Sequence, residues 1–330
     1  MPIALKTQAD AAQDASDDYV PIALDAYRLT QRQNVDVYCR LTGQNAYKLY
    51  AGRTRRIKEH DFAELQKRGH STLYFDQHAF DAVSEELLGR LETILADENV
   101  ATEQRFAVLQ TAVAAEVDSA FRLTNCDKFV GLANKMGTQV ASLLRGGNTV
   151  PSELFQIGQH DAYTFMHVTN VAGYAVVLAE HMGISDPAEL EQIATGAILH
   201  DVGKRRVPAE ILKTKGRLTT EQRAVIEDHP RFGYEELCAR DDLSLAQLMM
   251  VYQHHEKIDG TGYPVRVGGD EIHQWAKLIA VVDVFDALTS KRPYRRPAAL
   301  ADVLGFLEEG SGTHFDSEMV RCWIDAFQQS

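Results

Sequence analysis

His167, the adjacent His200-Asp201, His229, the adjacent His254-His255, and Asp283 are metal-ligand side-chain types set on consecutive helical segments. His200-Asp201 ends a strongly apolar stretch, and an ionisable pair is costly to bury there unless it is paired or metal-bound. His254 and His255 follow Leu248, Met249 and Tyr252 in the same way. Asp283 lies within the run Ile279-Ala280-Val281-Val282-Asp283-Val284-Phe285, where a carboxylate has no ordinary reason to be. Three helices that each bring imidazole or carboxylate to an apolar interior are how bundles assemble metal sites. Such ligands suit iron, manganese, nickel or zinc. A carboxylate such as Asp201 is able to bridge two ions about 3.5–4 Å apart. Taken singly, each histidine reads as an ordinary core or surface residue and each aspartate as a cap. The argument rests on the set, which exceeds what one metal requires and so reads as a site for two.

The elements that must position these residues are mostly helical. In residues 162–181, Val168, Val171, Ala172, Ala175, Leu178 and Ala179 recur at helical intervals up to a stop at Gly183. Leu190, Ile193, Ala194, Ala197 and Ile198 do the same between Pro187 and His200. Thr219 with Gln222, and Ser244 with Gln247, read as capping boxes. The last long helix is expected from about Trp275 to Ser290. Upstream, Val35 to Leu41 alternates in the strand manner, followed by a turn at 42–45 and a strand from Ala46 to Tyr50. A helix from His60 to Arg68, a strand from Ser71 to Phe75 and a helix from Ala79 to Leu95 complete this region. The expected fold class is mainly α: a C-terminal all-helical bundle with a small N-terminal α+β module. Residues 1–20 read as a disordered tail, 21–100 as the module, 101–150 as connecting helices and 151–330 as the catalytic domain.

Composition narrows the partners. The 330 residues are 45 % hydrophobic and 25 % charged, with a formal net charge of −13. A chain this acidic lacks the basic surface that long nucleic acids need. The run Lys204-Arg205-Arg206, with Lys213, Lys215 and Arg217, is a local exception suited to a small anion. The four cysteines are far apart and read as reduced thiols of a cytoplasmic protein. No signal peptide and no stretch of about 18 apolar residues is visible, so no membrane span is expected.

Five segments together carry a family resemblance. His200-Asp201-Val202-Gly203-Lys204 resembles the HD signature of the HD phosphohydrolase superfamily. His254-His255-Glu256-Lys257-Ile258-Asp259-Gly260-Thr261-Gly262-Tyr263-Pro264 is similar to the HHExxDGxGYP segment of the HD-GYP subgroup. Asp283 to Arg295, Tyr163-Thr164 with His167, and Val207 to Pro230 match the remaining pattern over residues 105–330. His60-Asp61 and His160-Asp161 repeat the dipeptide without the following Gly-Lys and read as chance.

The resemblance implies a phosphodiesterase that opens cyclic di-GMP to linear pGpG, with either pGpG or GMP as the end product. His167, His200, Asp201 and Asp283 would hold one divalent metal, and Asp201, His229, His254 and His255 the other. The two ions would be iron or manganese, with nickel, zinc or magnesium as alternatives, and a water bridging them would supply hydroxide. Some members carry a glutamate one turn before the first histidine and bind a third ion. Here that position is Tyr163, so two ions are expected. Asp201 and Lys204 are assigned to catalysis, and Lys204, Tyr263, Asp286, Arg292 and Arg295 to substrate binding. Asp286 is expected to orient Arg292 or to meet a guanine edge. Two other readings stand beside this one: hydrolysis of a related dinucleotide such as cyclic GMP-AMP, and a non-catalytic receptor. A homodimer, and protein partners through the GYP loop or the N-terminal module, are also expected.

Overall fold

The computed structural model describes residues 19–31, 34–41, 46–122, 126–146, 154–155, 164–212, 214, 216–290 and 297–328. The chain divides into two compact units, residues 1–115 and 116–330.

In the first unit a four-stranded antiparallel sheet has the order β1-β4-β2-β3. Its strands are β1 (Tyr19–Ala23), β2 (Val37–Arg40), β3 (Tyr47–Ala51) and β4 (Thr72–Asp76). Helix α1 (Leu24–Leu29) follows β1, α2 (Glu59–Lys67) follows β3, and α3 (Gln77–Leu95) follows β4. Alternation along β1 and β4 buries Val20, Ile22, Leu73 and Phe75 with Phe80, Val83 and Leu87 of α3. The opposite face carries four tyrosines whose rings pack 4.6–4.9 Å apart: Tyr19, Tyr38, Tyr47 and Tyr74. Strand β1 begins at Tyr19, inside the stretch 1–20 that was expected as a tail; residues 1–18 lie outside the described residues. β1 escapes a sequence reading because Pro21 interrupts it, which an edge strand tolerates. His60-Asp61 falls in α2, where Asp61 accepts the Lys58 amide and pairs with Arg55. It is a helix cap and not a catalytic pair.

Helix α4 (Thr102–Arg122) spans the division between the units. The second unit is a helical bundle: α5 (Asp127–Leu144), α6 (Thr164–His181), α7 (Pro187–Leu199), α8 (Ala209–Leu212), α9 (Thr220–Glu227), α10 (His229–Leu237), α11 (Leu245–Gln253), α12 (Gln274–Thr289), α13 (Leu300–Glu309) and α14 (Ser317–Gln328). Helix α5, expected as a connector, lies along α7 and α6 as part of this bundle. Both capping boxes form, at Thr219/Gln222 and Ser244/Gln247. Two helices follow α12, where the sequence reading had placed the last long one. In α14, Trp323 packs edge-on against Phe285 and Tyr174, Phe327 packs at a tilt against Phe285, and the two close the core behind α12. Among the described residues, no helix is long and apolar enough to cross a membrane.

Gly203 sets how the HD turn meets α10. A Cβ there would stand 1.9 Å from His229 O and 2.5 Å from Gly233 N. Only a glycine lets the short 3-10 helix Val202–Arg206 lie against the backbone that starts at His229.

Candidate metal centre

The helix ends bring the ligands together. His200 caps the C-terminus of α7, and Asp201 begins the turn after it. His229 is the first residue of α10, with Pro230 next, where a missing amide costs nothing. His254 caps α11, and His255 follows. His167 sits in the first turn of α6, and Asp283 lies inside α12. His200, His229 and His254 are fully or almost fully buried.

Asp201 faces two ways. Its Oδ2 lies 3.4 Å from His200 Nε2 and 4.0 Å from His167 Nε2. Asp283 Oδ1 joins that side, 3.2 Å from His167 Nε2 and 4.0 Å from His200 Nε2. The other oxygen, Oδ1, lies 3.2 Å from His229 Nε2 and 3.9 Å from His254 Nε2. His255 groups with His229 and His254, their donor atoms all within 4.8 Å of one another. Donors about 2.0–2.2 Å from a common ion, at tetrahedral to octahedral angles, stand roughly 2.8–3.6 Å from each other. The shortest contacts already fall in that range, and the longer ones need only small side-chain movements.

The histidine tautomers are dictated by their neighbours. His200 Nδ1–H donates to Ala197 O (2.6 Å), His229 Nδ1–H to Ile226 O (2.7 Å) and His254 Nδ1–H to Val251 O (3.0 Å). A carbonyl only accepts, so Nδ1 carries a proton and each ring turns its Nε2 inward, the nitrogen that would ligate a metal ion. The Nε2 atoms of His229 and His254 face each other at 3.2 Å. His200 Nε2 and Asp201 Oδ1 are buried with no hydrogen-bond partner. Converging ring nitrogens and unpartnered buried acceptors are costly alone and suited to a cation, so the residues fit metal ions.

Charge follows the same division. Burial drives the His254 ring well below its ordinary pKa and the His255 ring down to about 3, so both are neutral donors at working pH. Burial also opposes charge on His167, but hydrogen bonds to Asp283 and Asp286 outweigh it and hold this ring up to about 10. Burial would raise the Asp201 carboxyl, yet Lys204 and His200 hold it well below the carboxylate range. Asp283 is likewise held low, chiefly by His167 against the cost of burial.

Asp286 departs from its expected role. It is 1 % exposed, and its Oδ2 accepts from His167 Nδ1 at 2.7 Å. Its Oδ1 accepts from Asn170 Nδ2 (2.8 Å) and Ser290 Oγ (3.0 Å). It therefore buttresses a ligand from behind and has no face for a guanine edge. Asn170 and Ser290 belong to this support and were not singled out in the sequence. The signal was there: Asn170 is one turn beyond His167 on an otherwise apolar helix. Asp286→Ala is expected to weaken metal retention about 10–100-fold with the helical content intact, as titration with a competing chelator would read. Unchanged affinity would mean that His167 holds its orientation without Asp286.

The remaining candidates are partly placed. Lys204 Nζ contacts Asp201 Oδ2 and stays one-third exposed at the rim. The Tyr263 ring lies 4.7 Å from that of His255, and burial raises its hydroxyl pKa, so it stays protonated. Arg292, Arg295, Lys213, Lys215, Tyr163 and His160-Asp161 lie outside the described residues.

Residues 94–319 match the family model described as HD domain. A cyclic di-GMP phosphodiesterase of Pseudomonas aeruginosa is 34 % identical over 223 residues, covering 67 % of this chain and 53 % of that protein. A 3'3'-cGAMP-specific phosphodiesterase of Vibrio cholerae is 35 % identical over 171 residues, covering 50 % of this chain and 32 % of that protein. The chain thus spans about half or less of the length of these relatives. A solved HDG"Y"P protein from Bdellovibrio bacteriovorus shares the fold, with a TM-score of 0.62 at 19 % identity over 94 % of this chain and 100 % of that one. With the family match spanning the histidine and aspartate cluster, the chain belongs to the HD domain family.

Proposed function

We propose that this protein is a metal-dependent phosphodiesterase that hydrolyses cyclic di-GMP through a centre of two divalent ions. The observation that carries the reading is Asp201, with one carboxyl oxygen turned to His167 and His200, which Asp283 also meets, and the other to His229 and His254. The first set would hold one ion, and the second, with His255, the other, iron or manganese in each case. Bound there, the ions would acidify a water and neutralise charge on the phosphate. Lys204 lies at the rim of the first set, where its ammonium would meet a phosphate or leaving oxygen. Tyr263, kept protonated, offers a hydroxyl donor and a ring face to a guanine. Arg292 and Arg295 would bind phosphate bidentately from the segment after α12.

The similar proteins include enzymes named for cyclic di-GMP and for 3'3'-cGAMP at nearly equal identity, so the test must separate the two. Protein purified without air and supplied with Fe(II) or Mn(II) is given each dinucleotide in turn, and products are resolved by chromatography. The expected result is two ions per chain and conversion of cyclic di-GMP to pGpG or GMP, lost on chelation and restored by metal. Preferential turnover of 3'3'-cGAMP would reassign the substrate. Bound metal with neither dinucleotide turned over would overturn the enzymatic reading.

A further inference from the structure

Glu256 directly follows the His254-His255 pair, yet its carboxyl serves another segment. It is 2 % exposed. Its Oε1 accepts the amides of Val265 (2.6 Å) and Arg266 (3.0 Å), and Oε2 accepts Arg266 again at 3.1 Å. Arg266 has a φ of 66°, in the left-handed region that a residue with a Cβ rarely adopts. A buried acceptor bonded to this backbone is the sort of outside support that lets such a conformation persist. The loop between these points folds back on its own origin. Tyr263 N–H donates to His255 O at 3.1 Å, and its ring rests on the His255 ring. Gly262 lies so close that a Cβ would stand 2.4 Å from Lys257 N and 2.6 Å from His255 O.

From these contacts we infer that Glu256 is a positioning residue: it locks residues 263–266 so that the Tyr263 ring is held against the metal ligand His255, ready for substrate. The inference rests on Tyr263 contacting substrate, as proposed above. Glu256 has no duty toward the rest of the segment, which is tied independently by Asp259 N–H to Thr313 O (2.9 Å) and Gly269 N–H to Ile258 O (3.1 Å). Removing its carboxyl should therefore free one loop and leave the bundle standing.

The test uses the full metal-loaded chain and two readouts. In Glu256→Ala, hydrogen exchange over residues 263–266 should quicken at least about tenfold, because two amides lose a buried acceptor. For cyclic di-GMP the KM should rise about tenfold or more, with kcat changed less than about threefold and metal content unchanged. Glu256→Gln keeps Oε1 as an acceptor for both amides and should recover most of the protection and the KM. In a Tyr263→Ala background, adding Glu256→Ala should raise KM by less than about twofold, because a positioning residue acts only through what it positions. Unaltered exchange in Glu256→Ala would overturn the proposal, as would a full additional KM effect in the Tyr263→Ala background. If Tyr263→Ala alone leaves KM unchanged, the substrate role of Tyr263 fails, while the exchange measurement still decides whether Glu256 fixes the loop.

Discussion

Replacing Asp201 with alanine should remove both ions of the proposed centre and lower kcat/KM by at least about a thousandfold, the largest functional loss expected from a single ligand. The reason is its double engagement. Each histidine turns one ring nitrogen to the centre, whereas the two oxygens of Asp201 lie 3.4 Å from His200 Nε2 on one side and 3.2 Å from His229 Nε2 on the other. His255→Ala should accordingly lose one ion and keep the other. Asp201→Asn is more informative than alanine. The amide keeps shape and offers one oxygen, but its nitrogen is a donor and cannot ligate, so one of the two sets must fail. Metal content per chain, by elemental analysis, should read near zero for the alanine variant and near one for the asparagine variant. Circular dichroism should show the bundle retained in each. An Asp201→Ala protein that still carries two ions and turns over substrate would remove the bridging role.

The largest loss of stability should come from Gly203→Ala. A methyl group there would have to displace backbone, since His229 O and Gly233 N stand only 1.9 and 2.5 Å from the Cβ position. Backbone yields less readily than a flexible side chain, so the cost should be about 3 kcal/mol or more. For a unit of this size that lowers Tm by roughly 6–12 °C. Relief requires α10 to move away from the 3-10 turn, and α10 begins with the ligand His229. The variant should therefore lose affinity at the His229/His254/His255 set even at temperatures where it remains folded. Gly131→Ala in α5 is the matched control, because nothing lies within 4 Å of its Cβ position. That substitution should be neutral or stabilise by up to about 1 kcal/mol. Equal melting temperatures for the two variants would show that the 3-10 turn is not wedged as described.

The ligand set was legible in the sequence because its members violate their surroundings. An aspartate in the middle of Ile279–Phe285 and histidines ending apolar helices stand out against a background that has no use for them. Asp286 was misjudged for a related reason. Helical spacing correctly places it on the face of Asp283, but spacing along one helix does not say which neighbouring helix that face meets. It meets α6, through His167 and Asn170, and the contact spans more than a hundred residues of sequence. Glu256 sat inside a recognised segment and still gave no sign of its task, because its partners are main-chain amides, which any residue supplies. The final helices α13 and α14 were within reach: Leu300, Val303 and Leu307, and then Met319, Val320 and Trp323, recur at helical intervals. The edge strand β1 was not, since Pro21 disguises it.

The way the inward-facing histidines are oriented also sets how the site tolerates change. His200, His229 and His254 each hand their Nδ1 proton to a main-chain carbonyl three residues earlier. No substitution removes a carbonyl, so residues 197, 226 and 251 can vary without altering which ring nitrogen faces the centre. His167 alone relies on a side chain, Asp286, with Asn170 and Ser290 behind it. Side-chain support for the orientation of a ligand ring is thus concentrated on the His167 side. A population of drifting sequences should lose the His167 side of the centre first, passing through forms that keep a single metal between His229, His254 and His255.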